Sequence, residues 1–431
     1  MFSLLRKISL SNWILIAMIL GLITGLFLNI YVDDYFIKDV LLMNNFFYLG
    51  GNLFIRLMKM IVVPLVFFSI VMSLASLSDI RNIGTIGLKS ILLFFLTTIS
   101  TLVVALIIST IIKPGIGLNI DTMIQNSNGT FNQTITSTIL NIVSENPLNA
   151  LITGEMLSII LFGIIIGFIL VKLNSDKTKT VYKFFDESNE IMIALTNTFM
   201  KFAPIGVFCL MARTFGTMGF ETLIPLGKLI LCIFVEFAIT VIIVYPILIL
   251  IFTRQNPFKF FRKYIPVMFF AFSSTSSSAS MPLNLAKLEE LGVSREVSSF
   301  TIPLGTSLNQ NGSAIIFGTG IIFACQAYGI DFGTTALLTS IFIILITAIS
   351  TPAVPLAGIF SLNVIFTSIG LPVAVLELMA GIYNILDMFI TTSNVTGNGV
   401  STFIVGFNDK SFDMNAFKNE KDVENSVEDL I

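Results

Sequence analysis

An all-α polytopic membrane protein is the fold class this sequence predicts, and three observations carry the prediction. Of 431 residues, 55% are hydrophobic and only 12% charged, where a soluble chain would carry about a quarter charged residues. Stretches such as residues 13–30 and 91–112 hold no charge at all, and roughly 20 apolar residues suffice to cross a bilayer as a helix. The longest uncharged stretches are broken near their centres by polar or Pro-rich clusters, the pattern of membrane helices that unwind or turn back.

Composition also excludes. Cys209, Cys232 and Cys325 stand singly in apolar segments, so they form neither a disulfide framework nor a metal site. The chain has no His, which removes histidine-based acid–base catalysis and His-ligated metals. No acid–base pair shares a helical face, so an intramembrane enzyme is not expected. The net charge of −2 gives no sign of a nucleic-acid partner. Residues 13–30 are too long, and lack a small-residue cleavage site, to read as a cleaved signal peptide.

In chain order, residues 13–30 are the first span, followed by Asp33, Asp34 and Asp39. Residues 47–77 form a second that carries Arg56 and Lys59 and is therefore tilted or partly interfacial. Residues 84–112 are the third. Residues 119–147 are a solvated polar loop, including the sequons Asn128-Gly-Thr and Asn132-Gln-Thr. Residues 148–173, 191–215 and 223–252 are the fourth, fifth and sixth spans, the last kinked at Pro246. The basic residues Arg6, Lys7, Arg81, Lys89, Lys172, Lys177, Lys179, Lys183, Arg254, Lys259, Arg262 and Lys263 all fall on one side if six spans alternate. Both termini should therefore be cytoplasmic. The charged tail, residues 409–431, is expected to be solvated and weakly ordered.

The remaining stretch behaves differently. Residues 264–286 are uncharged but broken by Phe272-Ser-Ser-Thr-Ser-Ser-Ser-Ala-Ser280 and then Pro282. Residues 297–330 hold no charge over 34 positions, yet their centre reads Thr306-Ser-Leu-Asn-Gln-Asn-Gly-Ser313. Amides at mid-depth must find partners, and Gly lets the backbone unwind; the same amides would also serve as glue between helices. Residues 332–376 run 45 positions without charge, about twice one crossing, and are interrupted by Ser350-Thr-Pro-Ala-Val-Pro-Leu-Ala-Gly358. Each broken segment precedes a long helix with a polar centre, which points to an inverted-repeat transporter and its site.

In the last of these helices, residues 371–407, Asp387, Thr391, Asn394 and Asn398 recur at i, i+4, i+7 and i+11 and share one face. An intramembrane carboxylate must be paired or protonated and marks a site by default. A substrate ammonium is one partner for Asp387; Arg56, Lys59, Lys201 or Arg213 is the alternative. Glu236 has no polar face around it and reads as structure.

These residues resemble the dicarboxylate/amino acid:cation symporter family, the prokaryotic glutamate-transporter homologues. Phe54-Ile-Arg-Leu-Met-Lys-Met-Ile-Val-Val-Pro-Leu65 is similar to the family's second helix and Phe202-Ala-Pro-Ile-Gly-Val-Phe208 to its fifth. Residues 271–282 resemble its Ser-rich hairpin, Asn309-Gln-Asn-Gly-Ser its Asn-Met-Asp-Gly-Thr motif, and Asp387-Met with Asn394-Val-Thr-Gly its eighth helix. The resemblance implies eight transmembrane helices plus two re-entrant helical hairpins, arranged as inverted repeats in a homotrimeric, elevator-type transporter of the prokaryotic plasma membrane. The scaffold would comprise residues 1–83 and 118–220. The transport domain would comprise residues 84–117 and 221–408. The second hairpin, about residues 337–366, would gate the external side with its tip at 352–358.

Carried over by position, Ser276, Ser277 and the tip backbone from Val354 to Gly358 would hold the substrate α-carboxylate together with Asn394. Asp387 and Thr391 would take the α-ammonium, and Ser313 would face the side chain. The resemblance also implies Na⁺ ligands: Thr97, Thr98 and Asn309 at one site, carbonyls of Ser307, Ser350 and Thr351 at another, with Asn311, Asn394 and Asn398 contributing.

Two departures matter. Where acidic-substrate members place an Arg one turn beyond the Asp, this chain has Ile390, and the hairpin Arg of other members is Thr275. An unpaired substrate carboxylate beside Ile390 would cost several kcal/mol, so a neutral amino acid is expected. Two Na⁺-binding Asp positions are Asn311 and Asn398, which supply oxygen without charge. Na⁺-coupled symport of a neutral L-amino acid is the expectation. Its competitors are a proton-coupled carrier or exchanger of the same fold, an acidic amino acid/dicarboxylate symporter with atypical side-chain recognition, and a passive pore.

Overall fold

A computed structural model describes residues 10–32, 36–75, 80–118, 143–173, 175–219, 223–330, 333–351, 357–409 and 412–418. Every regular element among them is helical. α1 is Leu10–Tyr31; a π-helical stretch, Phe36–Phe47, leads into α2, Tyr48–Ala75, and α3 is Ile80–Ile112. A short α4, Pro147–Thr153, precedes α5, Met156–Leu173, then α6, Ser175–Met200, and α7, Ala203–Met218. α8, Leu223–Ile239, passes through a π turn at Thr240–Val244 into α9, Tyr245–Thr253. Three broken pairs follow: α10, Pro257–Ser274, with α11, Ser277–Glu290; α12, Arg295–Leu308, with α13, Asn311–Tyr328; α14, Thr334–Ser350, with α15, Ala357–Ile369. α16, Ala374–Phe407, and a short α17, Met414–Lys418, end the described chain.

Among the described residues, four helices are long and apolar enough to cross a membrane: Trp13–Tyr31, Ile86–Ile112, Leu223–Thr253 and Ala374–Phe407. These coincide with the first, third, sixth and eighth expected spans. The others differ for local reasons. The fourth is shortened because Gly154, at φ +75°, closes α4 and the helix restarts at Met156. The fifth is not one helix: it bends by 53° between Met200 and Ala203. Pro204 in the first turn of α7 has no N–H to continue α6 and favours a fresh helix start. In the sixth, the π turn just ahead of Pro246 absorbs the hydrogen bond that the proline cannot make. The polar loop at 119–142, Val354 and the rest of the tip at 352–356, and the tail beyond 418 lie outside the described residues.

Both expected hairpins are pairs of adjoining helices. Between α10 and α11 the chain reverses at Thr275, left-handed at φ +48°, and Ser276, whose hydroxyl caps α11 by accepting from the Ala279 N–H. The arms lie side by side, since Tyr264 Oη donates to Asn284 Oδ1 at 2.8 Å. In the second pair Thr351 Oγ1 donates to Ser361 Oγ at 2.9 Å, and the two helices pack on each other.

α1, α2, α5, α6 and α7 pack largely among themselves, while α16 is the hub for α3, α8 and α10–α13. Close approach at that hub requires glycine. A Cβ at Gly312 would run into the Ile390 carbonyl, and one at Gly397 into Asn311 Nδ2 and Tyr245 Oη. Gly312→Ala is therefore expected to destabilise the fold by about 1–3 kcal/mol, read as a lower melting temperature in detergent. Gly227→Ala is the control, because nothing lies within 4 Å of the added carbon, and its melting temperature should not fall.

Candidate functional site

The gap between α12 and α13 leaves helix-end N–H and C=O groups that need partners inside a buried region. Asn394, on α16, answers them. Its Oδ1 accepts from the Gly312 N–H at 2.7 Å and its Nδ2 donates to Gln310 Oε1 at 2.8 Å. Gln310 Oε1 also accepts from Ser313 Oγ at 3.0 Å, while Gln310 Nε2 donates to the Thr306 carbonyl at 3.2 Å. Asn311 is held from two sides: its Nδ2 donates to Tyr245 Oη at 3.1 Å, and its Oδ1 accepts from Thr98 Oγ1 at 2.8 Å. Thr97 Oγ1 donates to Asn309 Oδ1 at 3.1 Å, and Thr101 Oγ1 to the Asn311 carbonyl at 3.1 Å. Asn398 turns its Nδ2 to the Ile302 carbonyl at 2.9 Å. Asn398 Oδ1 and Asn309 Nδ2 are buried with no partner among the described residues.

Beside this network lies a cavity that, counted together with the open space at its mouth, holds about 310 Å³. Thr275 and Ser277 line it from the turn of the first hairpin, and Gln310 and Ser313 from the start of α13. Thr351, Ala357 and Gly358 come from the second hairpin, and Tyr383, Asp387, Ile390, Thr391 and Asn394 from α16. Helix geometry explains the last set, which falls on one face at spacings of three and four. Asp387 is the only formally charged side chain among these lining residues, and it is buried. Thr391 Oγ1 stands 3.5 Å from Asp387 Oδ1, and Tyr383 Oη lies where a Cβ at Gly358 would be. Arg213, one alternative partner for Asp387, is instead paired with Glu377 at 3.4 Å and lies over the Tyr48 ring.

Seven expected substrate positions, Ser277, Ser313, Gly358, Asp387, Ile390, Thr391 and Asn394, meet around this one cavity. Ser276 does not line it, because its hydroxyl is spent capping α11. Of the expected ion positions, Thr97, Thr98, Asn309, Asn311 and Asn398 cluster at the α12–α13 break; Ser307 lies in the last turn of α12, Ser350 ends α14, and Thr351 faces the cavity. Sequence reasoning marked Gln310 as an amide in need of a partner but gave it no substrate or ion role, and it gave no role to Tyr383 or Tyr245. Tyr383 was detectable, lying four residues before Asp387 on the polar face. Tyr245 carried no local signal. No cluster of three or more His, Cys, Asp or Glu capable of holding a metal exists among the described residues. The site can hydrogen-bond a small polar solute and oppose one positive charge. Neutral amide and hydroxyl oxygens are what it offers a hard cation.

A model of the sodium:dicarboxylate symporter family matches residues 10–407. The chain is 33% identical to a proton/sodium-glutamate symport protein of Bacillus caldotenax, over 93% of this chain and 94% of that protein. It is 30% identical to a proton/glutamate-aspartate symporter of Escherichia coli (strain K12), over 94% of each. It is also 30% identical to a C4-dicarboxylate transport protein of Anaeromyxobacter sp. (strain K), over 82% of each.

Removing the amide of Asn394 strips partners from Gly312 and Gln310 together. Asn394→Ala is expected to cost about 1–3 kcal/mol per buried group left unpaired, measured as a fall in melting temperature. Thr392→Ala, on the other side of the helix, loses only a hydroxyl bonded to the Met388 carbonyl and should fall less.

Proposed function

The chain belongs to the sodium:dicarboxylate symporter family, and from that premise we propose that it imports a neutral L-amino acid together with a cation. Membership makes it a cation-coupled symporter of the membrane, and not an enzyme. The observation that carries the finer reading is the cavity's charge pattern. Asp387 opposes a substrate ammonium with support from Thr391, while Asn394 and Ser277 bind the α-carboxylate beside the second hairpin at Gly358. The side chain then meets Ile390 and Thr275, neither of which answers a second carboxylate. Placing that charge there would cost several kcal/mol.

In this reading α1, α2 and α4–α7 form the scaffold of a homotrimer in the bacterial plasma membrane, with cytoplasmic termini. α3 and α8–α16 form a domain that carries the cavity across the bilayer as an elevator, gated by the α14–α15 pair. The separate packing of the two helix sets supports that division. Na⁺ is the coupling ion we favour: Asn398 Oδ1 is a buried oxygen in want of a partner, as a cation ligand would be. The relatives' names favour one competitor, an acidic substrate. Uptake of each of twenty amino acids into proteoliposomes, with and without a Na⁺ gradient, decides between them. Alanine, serine or threonine should be accumulated with Na⁺, and glutamate should not; accumulation of glutamate alone would overturn the assignment.

Two variants test the residues. Asp387→Asn is expected to abolish amino-acid binding, and normal affinity in that variant would show that Asp387 does not meet the ammonium. Ile390→Arg supplies a guanidinium fork to the side-chain end and should shift preference toward aspartate or glutamate in competition uptake.

A further inference from the structure

Glu236 takes no part in the cavity. It lies in α8, is 0% exposed, and joins two helices. Thr319 Oγ1 on α13 donates to its Oε2 at 2.7 Å, and Cys232 Sγ, one turn earlier, donates to its Oε1 at 3.2 Å. α8 packs on α3, α13 and α16, which bring few ionisable groups. α3 has Arg81 and Lys89 near its start and no charge from Ser90 to Ile112. α13 has Cys325 and Tyr328; α16 has Glu377, Tyr383 and Asp387; α8 adds Lys228 and Cys232. Of these, Cys232 alone bonds to the Glu236 carboxyl among the described contacts.

Two neutral donors do not compensate a carboxylate withdrawn from water, which costs several kcal/mol. The side chain is therefore housed as the neutral acid. Plain interhelical glue needs no acid; Gln would serve as well. Glu236 is also tied to the substrate cavity along two lines. Thr319 sits six residues, about 9 Å along the axis, beyond Ser313 on the helix whose first turn lines the cavity. Phe234 and Phe237, flanking Glu236, both pack on Phe389, which lies between Asp387 and Ile390.

We propose that Glu236 is a proton-binding site of the transport cycle. Its carboxylate takes one proton from water on one side, forming an O–H bond, and the acid is carried neutral in the α8–α13 contact. The O–H bond breaks to water on the other side once that contact opens. The inference rests on the symporter reading and not on the identity of the substrate.

The test uses the full chain in proteoliposomes holding a trapped pH-sensitive dye, with equal Na⁺ on both sides and the voltage clamped. Unlabelled L-alanine and L-glutamate serve as parallel probes. Wild type should acidify the lumen when a transported probe is added. E236Q should lose about tenfold of that acidification while counterflow of the same labelled probe is kept. Thr319→Val, which removes a hydrogen bond to this carboxyl, should displace the pH at half-maximal uptake from its wild-type value. This second variant decides the matter should E236Q lose counterflow as well. Acidification driven by glutamate alone sinks the neutral-substrate reading and leaves Glu236 standing. Wild-type uptake without acidification, undiminished acidification in E236Q, or an unmoved Thr319→Val profile overturns the proposal.

Discussion

Inside a bilayer a helix cannot stop without consequence, because the peptide groups it releases have no water to turn to. The α12–α13 break imposes that constraint at the centre of this molecule, and much around it answers the demand. Asn394 is suited to the task because a carboxamide offers an acceptor to Gly312 and a donor to Gln310 at once. Its reach is short, so α16 must lie against the break, and that approach dictates glycine at positions 312 and 397. The amides at 309, 310 and 311 then draw in Thr97, Thr98, Thr101 and Tyr245. One interrupted helix thus fixes the mutual placement of α3, α9, α13 and α16.

The same economy shapes the electrostatics. A network of amides and hydroxyls carries no net charge, so it can be buried without a counter-ion, although Asn398 Oδ1 and Asn309 Nδ2 keep no partner among the described residues. Replacing Asn311 and Asn398 by carboxylates would create charges that only a metal, a proton or an ammonium could offset. Here the buried carboxyls of this core are instead kept apart. Asp387 lines the cavity, where a solute can reach it, while Glu236 is enclosed between α8 and α13 with two neutral donors. In the proposed cycle, substrate charge and proton charge are handled at separate places joined by α13.

Much of this was legible in the sequence because membrane helices announce themselves by absence of charge. The polar face of α16 followed from residue spacing alone, and the α12–α13 break from an Asn-Gln-Asn-Gly string that no bilayer helix would keep wound. What spacing does not reveal is where a kink divides a helix. Pro204 stands in an apolar run that reads as continuous, and only its position within a helical turn makes it a start instead of a kink. Likewise Ser276 and Ser277 are indistinguishable in a serine run. The reversal at Thr275 decides that one caps a helix while the other reaches the cavity. Tyr245 escaped because its partner Asn311 is 66 residues away, a separation at which sequence carries no geometric information.

Ile390 shows how the constraint and the specificity meet in one residue. Its carbonyl is the surface on which Gly312 rests, so its backbone is held by the packing of α13 on α16. Its side chain lines the cavity from that fixed anchor. In the proposed function, the wall facing the substrate's side chain is therefore set by the side chain at 390, while the contact that holds the helices together is made by its backbone. A transporter built this way can alter what it carries at one position and still keep the break, the cage of amides and the helix packing intact. In the proposed function, selectivity is on that account a property of residues 390 and 275, superimposed on the helix packing around the break.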